Sequence, residues 1–357
     1  MKIPLFRPYS SSSLPMEIKR VIESGHWTGG REVSEVENIL AETFNFPNFT
    51  CTSSATSAFE ILIDAFYPDS KVNIVVPVNT FAATAEVPRR LGHKVIFCDV
   101  DVKTGMIDIA SLKLILNSHK VDCVIPVSIG GHLYDREKLK ELKQSYGFDI
   151  IEDLAQLIYK DCFDHFVDAA FFSFYPNKIL SSPDGGGFVL SDESKLEDLR
   201  KVRLHGIKRI SPIEYDIECL GRKANMTDLS AVILKDQIYA LDEKIKRRES
   251  RVARYQNLLK DIPQISCLDH SENIISSLFV IHAENRKELQ IHLADNGVQT
   301  SIHFKPLHLH SYWKKDELVF SGAESYYSTS LSLPFYETLE DNEISYIVEL
   351  IAKFYSN

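Results

Sequence analysis

The run Phe171-Phe172-Ser173-Phe174-Tyr175-Pro176-Asn177-Lys178 decides how this chain is read. Its apolar residues have strand character. Pro176, which has no amide hydrogen to donate, stops any regular continuation, and a lone amine, Lys178, follows at once. Gly185-Gly186-Gly187 then leads into a second apolar strand, Phe188–Leu190. Upstream, the apolar run Phe148, Ile150 and Ile151 ends in Glu152-Asp153-Leu154-Ala155-Gln156. A carboxylate and an amine therefore each stand at the exit of a strand expected to be buried.

Outward from this pair, strands and helices alternate. Apolar runs over 72–78, 95–100, 123–127, 148–151, 169–174 and 188–190 read as strands. Helical spacing fills 33–44, 59–66, 81–91, 107–116 and 135–147, the last opened by Asp135 and stopped by Gly147. Continuous apolar strands between amphipathic helices indicate an α/β fold with a mostly parallel sheet covered on both faces. Ligands of such sheets bind beyond the carboxyl ends of the strands, where Thr80, Asp153 and Ser173–Lys178 lie. A long helix opening at Asp228 is expected to leave a large domain, 1–235, for a smaller α+β domain, 236–357. In the smaller part, 278–282 and 300–304 read as strands and 287–295 and 344–354 as helices. Pro4, Pro8 and Pro15 make 1–15 an extended arm.

The chain has 357 residues, enough for two cores. Its formal charge of −10 argues against nucleic acid as a partner. Six scattered cysteines without a Cys-x-x-Cys pair read as free thiols rather than disulfides or a zinc site. No apolar signal core opens the chain and no run is long enough to span a bilayer, so a cytoplasmic, non-membrane protein is expected.

Other segments carry two readings each. Gly25-His26-Trp27-Thr28-Gly29-Gly30 is a turn with a packed tryptophan or the lining of a ligand pocket. Ser53-Ser54-Ala55-Thr56-Ser57 before an apolar helix is an N-cap or a phosphate cradle, since the amides of a helix start point outward. The basic run from Lys244 to Arg254 reads as a solvated helix face, because acids interleave with it. The spacing of His303, His308 and His310 fits no common zinc pattern, which leaves a substrate pocket or ordinary surface histidines.

Amine transfer between two carbonyl compounds passes through carbanion character that side chains cannot delocalise, so an electron-sink cofactor is needed, usually pyridoxal phosphate. It requires a lysine kept from full protonation for the Schiff base, for which Lys178 qualifies. A carboxylate must keep the pyridine nitrogen protonated, and Asp153 stands at a strand exit. Glu152 would face the other way. Ala55, Thr56 and Ser173 can receive the phosphate, and Phe81 can cover the ring.

At these residues the chain resembles the DegT-type nucleotide-sugar aminotransferases of fold type I. The resemblance runs along nearly the whole chain, through Ser54–Ala58, Pro77–Thr84, Cys98–Asp101, Pro126–Gly131, Glu152–Gln156, Ser173–Lys178, Arg203–Gly206, His303–His308 and Ser332–Pro334. It implies that Lys178 forms the Schiff base, Asp153 partners the pyridinium and Gln156 donates to the ring oxygen. It also implies a homodimer with shared active sites. In many members an asparagine of a Gly-x-Asn-x-Arg-Met segment crosses to the partner's site. Gly221–Met226 puts Lys223 at the asparagine position and Asn225 at the arginine position. The implied substrates are an amino-acid donor, L-glutamate, and a nucleotide-linked keto-sugar bound partly by Trp27, Thr28, His303 and His308. Ala55, Ser128 and Leu154 depart from the common glycine, histidine and alanine. Two alternatives stand beside this reading: a sugar dehydratase, whose members carry histidine in place of Lys178, and a non-catalytic sensor on the same scaffold.

Overall fold

Phe171 and Phe172 are adjacent in sequence and belong to different cores. Successive side chains of a strand point to opposite faces. The same division runs across the sheet: Ile74, Cys123, Ile151 and Phe188 pack on one side, and Val75, Val124, Ile150 and Val189 on the other. The computed structural model describes residues 1–211, 213–268, 277–314 and 318–356.

The central strands are β1 (Thr50–Thr52), β2 (Asn73–Pro77), β3 (Lys94–Cys98), β4 (Cys123–Val124), β5 (Asp149–Asp153), β6 (Ala169–Ser173) and β7 (Gly186–Leu190). Their order is β1-β7-β6-β5-β4-β2-β3. Strands β3, β2, β4, β5 and β6 pair in parallel, and β7 runs antiparallel to both β6 and β1. Helices α1 (Leu14–Ser24), α2 (Arg31–Phe44), α3 (Ala55–Phe66), α4 (Ala82–Arg90), α5 (Ile109–Ser118), α6 (Arg136–Tyr146) and α7 (Leu196–Val202) accompany these strands. Helix α6 has the expected ends: Asp135 accepts from the Lys138 amide at 3.1 Å, and Gly147 takes a left-handed conformation with φ 73°.

After a hairpin of β8 (Ile207–Arg209) and β9 (Tyr215–Ile217) come α8 (Asp228–Tyr239) and α9 (Leu241–Leu259). A second, antiparallel sheet joins β10 (Ile265–Cys267), β11 (Phe279–Ala283) and β12 (Ser330–Leu333). It is accompanied by α10 (Arg286–Asp295), α11 (Ser321–Thr329) and α12 (Asp341–Ser356). A separate hydrophobic cluster forms here from Phe279, Leu289, Leu331 and Ile344, joined by Ile3 of the N-terminal segment.

Several elements differ from the sequence reading. The strand expected at 123–127 is regular only over Cys123–Val124, and Val127 makes a single bridge to Asp153. The long helix from Asp228 is two helices meeting at Ala240. No strand covers 300–304: Ser301 pairs once with Ser332, and the Phe304 amide donates to Asn79 Oδ1 at 3.0 Å instead of to a ladder. The basic face of α9 is not uniformly solvated, because Lys244 and Arg248 turn inward onto Glu337. Of the six cysteines, all free, Cys51, Cys98, Cys123 and Cys162 are buried and Cys219 and Cys267 half-buried. No helix among the described residues is long and apolar enough to cross a membrane.

Candidate active site

Parallel neighbours finish side by side, so β5 and β6 bring Asp153 and Ser173 to one edge of the sheet. Beyond that edge lies a cavity of about 610 Å³, within the range of small-molecule sites. Asp153, Gln156, Ser173, Lys178, Ala55, Thr56, Phe81 and His303 all border it.

Past Pro176 the chain turns tightly: the Lys178 amide donates to the Tyr175 carbonyl at 2.9 Å and the Ser182 amide to the Phe174 carbonyl at 2.7 Å. This turn holds Lys178 against the cavity wall. Burial pulls its amine down to about 8, with the Asp153 charge opposing the fall.

Asp153 is buried and braced on both oxygens. Oδ1 accepts from the Ala155 amide at 3.0 Å, and Oδ2 from Thr84 Oγ1 at 2.9 Å. Thr84 Oγ1 in turn meets Thr80 Oγ1 at 2.8 Å. Burial pushes the carboxyl above its usual range, while these hydrogen bonds and the Lys178 charge work against the rise. Glu152 faces the other side of the sheet, where Arg136 and Tyr134 bind it.

Helix α3 starts at the cavity. Ser54 caps it by accepting from the Ser57 amide at 3.1 Å. The amides of Ala55 and Thr56, in the first turn, have no carbonyl to bond within the helix, so the cap and the open anion site coexist. Glycine at 186 is needed for this turn to seat on β7, since a Cβ there would come 2.3 Å from the Ala55 nitrogen. Gln156 spends its oxygen on the Gly130 amide at 2.7 Å, which leaves its NH₂ as the donor on the cavity side.

Phe81 is 59% exposed at the cavity and lies 5.9 Å from the Phe304 ring. His303 bonds Ser332 Oγ through Nδ1 at 2.8 Å. Burial and then the Lys178 charge bring His303 down to about 4, so its ring is neutral at physiological pH.

Trp27, Thr28, Lys223, Asn225 and His308 are not among the lining residues of this protomer. Asn225 donates to Thr28 Oγ1 at 2.8 Å, its side-chain oxygen takes the Lys223 amine, and it bridges Thr52 on β1. His308 is buried rather than on the surface and meets Glu324 at 3.0 Å. Sequence reading passed over Thr84, which also borders the cavity without any mark in the local sequence; Thr80, whose hydroxyl it meets, precedes the α4 cap Phe81. Asn177, Asp184 and Phe304 were passed over as binding residues too, and no local pattern marks them.

Open helix amides, a braced carboxylate and a desolvated lysine around one cavity suit an anionic aldehyde on a basic aromatic ring. The donor set thus fits pyridoxal phosphate, and the architecture is that of the fold-type-I aminotransferases. The chain belongs to the DegT/DnrJ/EryC1/StrS aminotransferase family, which matches it over residues 11–352. The spore coat polysaccharide biosynthesis protein SpsC of Bacillus subtilis (strain 168) is 29% identical over 97% of this chain and 96% of its own length. A UDP-4-amino-4,6-dideoxy-N-acetyl-beta-L-altrosamine transaminase of Campylobacter jejuni (serotype O:2) is 26% identical over 91% of this chain and 90% of its own. The structure of Helicobacter pylori PseC, an aminotransferase involved in pseudoaminic acid biosynthesis, superposes with a TM-score of 0.94 at 20% identity and full coverage of both chains.

Proposed function

We propose that this chain uses pyridoxal phosphate to move an amino group from an amino acid, L-glutamate by family resemblance, to a keto-sugar carried on a nucleotide. The observation that carries this reading is the joint placement of Asp153 and Lys178 on one cavity whose third wall is the start of α3. When bound, the cofactor supplies the carbonyl for amine exchange and a cationic ring that takes up an electron pair.

The protein's own groups have separate tasks. Asp153 would keep a proton on the ring nitrogen, and the hydrogen bonds from Thr84 and Ala155 favour the carboxylate form that does so. Ala55, Thr56 and Ser173 would receive the phosphate, Gln156 would donate to the ring oxygen, and Phe81 would cover the ring. Lys178 would hold the aldehyde, and its amine can take and return a proton as general acid and base. An amine near pKa 8 is suited to both directions of that transfer. His303, neutral and next to Lys178, is available to a sugar hydroxyl.

The same reading gives residues 1–235 the cofactor and 236–357 a smaller C-terminal part. It makes the protein a cytoplasmic homodimer in which Lys223 or Asn225 reaches the partner's phosphate, with Trp27, Thr28 and His308 contributing to the sugar pocket of the assembled pair. The names of the Campylobacter and Bacillus relatives support a nucleotide-linked sugar and a place in polysaccharide or glycoconjugate precursor synthesis.

The test follows visible absorbance. L-glutamate should bleach the band of the cofactor-loaded protein, and the right nucleotide keto-sugar should restore it. Lys178→Ala should abolish both changes; normal turnover by that variant refutes the assignment.

A further inference from the structure

Lys244 lies on α9, and its side chain is only 2% exposed. Its ammonium donates to the Ile179 carbonyl and to Gln237 Oε1, the latter at 2.7 Å. The Glu337 carboxylate stands 3.7 Å away and is shared with Arg248, whose Nε reaches it at 2.7 Å. Gln237 passes the contact on, donating through Nε2 to the Tyr9 carbonyl at 2.9 Å. The Tyr9 ring itself is 5.7 Å from the Lys244 amine.

An ammonium buried with its carboxylate beyond hydrogen-bond distance is costly, and an apolar side chain of similar length would avoid that cost. What the charge adds is direction. It holds the carbonyl one residue beyond Lys178, on the outer side of the turn that presents that amine. A small cavity, about 10 Å³, is bordered by Lys178 and Asn177 on one side and by Lys244, Arg248 and Glu337 on the other. Glu337 follows β12, whose Ser332 holds His303 of the active-site wall. One ammonium thus meets the Lys178 turn directly, the N-terminal segment through Gln237, and Glu337, four residues past the end of the strand behind His303.

We propose that Lys244 is a positioning residue for amine transfer: it anchors the Ile179 carbonyl and so keeps the Lys178 amine in register with the cavity while substrates exchange. The inference rests on the reading of Lys178 as the reacting amine. It needs no contact between Lys244 and any substrate.

The main variant is Lys244→Met in the cofactor-loaded enzyme, with Lys178→Ala beside it. KM for the amino donor should stay within about twofold, because the substituted side chain does not border the cavity. The kcat should fall about a hundredfold, the size of effect that a misplacement of roughly 1 Å produces. Two further readouts separate positioning from a general loss of stability. The midpoint of the absorbance–pH titration of the bound cofactor should move. In the cofactor-free protein, amide hydrogen exchange should accelerate locally over 175–182. Lys244→Arg, which keeps the charge and donors, should recover most of the kcat.

Wild-type kcat with an unmoved midpoint in Lys244→Met overturns the proposal, even if that variant melts earlier. Should Lys244→Met not fold, Gln237→Met loosens the same ammonium and should lower kcat about tenfold at unchanged KM. Wild-type kcat there overturns it equally. Turnover by Lys178→Ala removes the premise and sinks both readings, whereas an inactive Lys178→Ala beside a fully active Lys244→Met sinks only this one.

Discussion

Thr84→Val tests the carboxylate at the centre of the site without touching it. The threonine hydroxyl sits 2.9 Å from Asp153 Oδ2 and takes its own hydrogen bond from Thr80 at 2.8 Å. Valine keeps the shape and removes the donor. Hydrogen bonds to charged groups contribute about 1.5–3 kcal/mol, and the lower figure applies because the Ala155 amide still holds Oδ1. At 1.36 kcal/mol per decade, about 1.5 kcal/mol lowers the rate roughly tenfold. The sign of the pH effect follows from the same contact. Asp153 already titrates above its usual range through burial, and Thr84 is one of the groups that restrain it. Without that hydroxyl the carboxyl moves further up, so the acid limb of the rate profile shifts to higher pH. The assay is the rate of glutamate-dependent bleaching between pH 5 and 9, with thermal melting to check folding and Thr84→Ser as the variant that keeps the hydroxyl. A Thr84→Val enzyme with its rate within twofold of wild type and an unmoved acid limb would show that Asp153 is not tuned through this chain.

Further outcomes follow from other groups. Lys178 titrates near 8, so about a tenth of it is neutral at pH 7, and cofactor uptake by the cofactor-free protein should accelerate about tenfold between pH 7 and 9 before levelling off. Asp153 raises that value, so Asp153→Asn should move the midpoint lower; a wild-type midpoint near 10.5 would show that the amine is not desolvated. Arg136→Met strands the fully buried Glu152, and breaking such a pair costs about 3–5 kcal/mol in denaturant unfolding. Glu152 is already raised by burial, so the folded variant takes up its proton more readily than the unfolded chain. The destabilisation should therefore be smaller at pH 5 than at pH 7.5, and an equal loss at both would contradict an uncompensated charge as its cause.

What local sequence could determine here were features whose physics is local. Apolar runs mark strands buried on both faces, Ser54 and Asp135 mark helix starts, and Asp153 and Lys178 sit where strand periodicity ends. The acid and the amine reach one cavity because parallel strands end at the same edge, a rule that needs no coordinates. The three-dimensional fold decided whatever depends on partners distant in sequence. Thr84 finds Asp153 only after α4 and β5 pack, and only the folded chain buries His308 and brings it beside Glu324 and the Phe320 ring. Ser301 pairs just once with β12 before the Phe304 amide turns to Asn79. Lys244, with acids interleaved around it, has the sequence of a solvated face. Only the docking of α9 against Glu337 and the Lys178 turn buries it. A charge's surroundings are set by what folds over it, and that covering chain lies too far away in sequence to leave a local pattern.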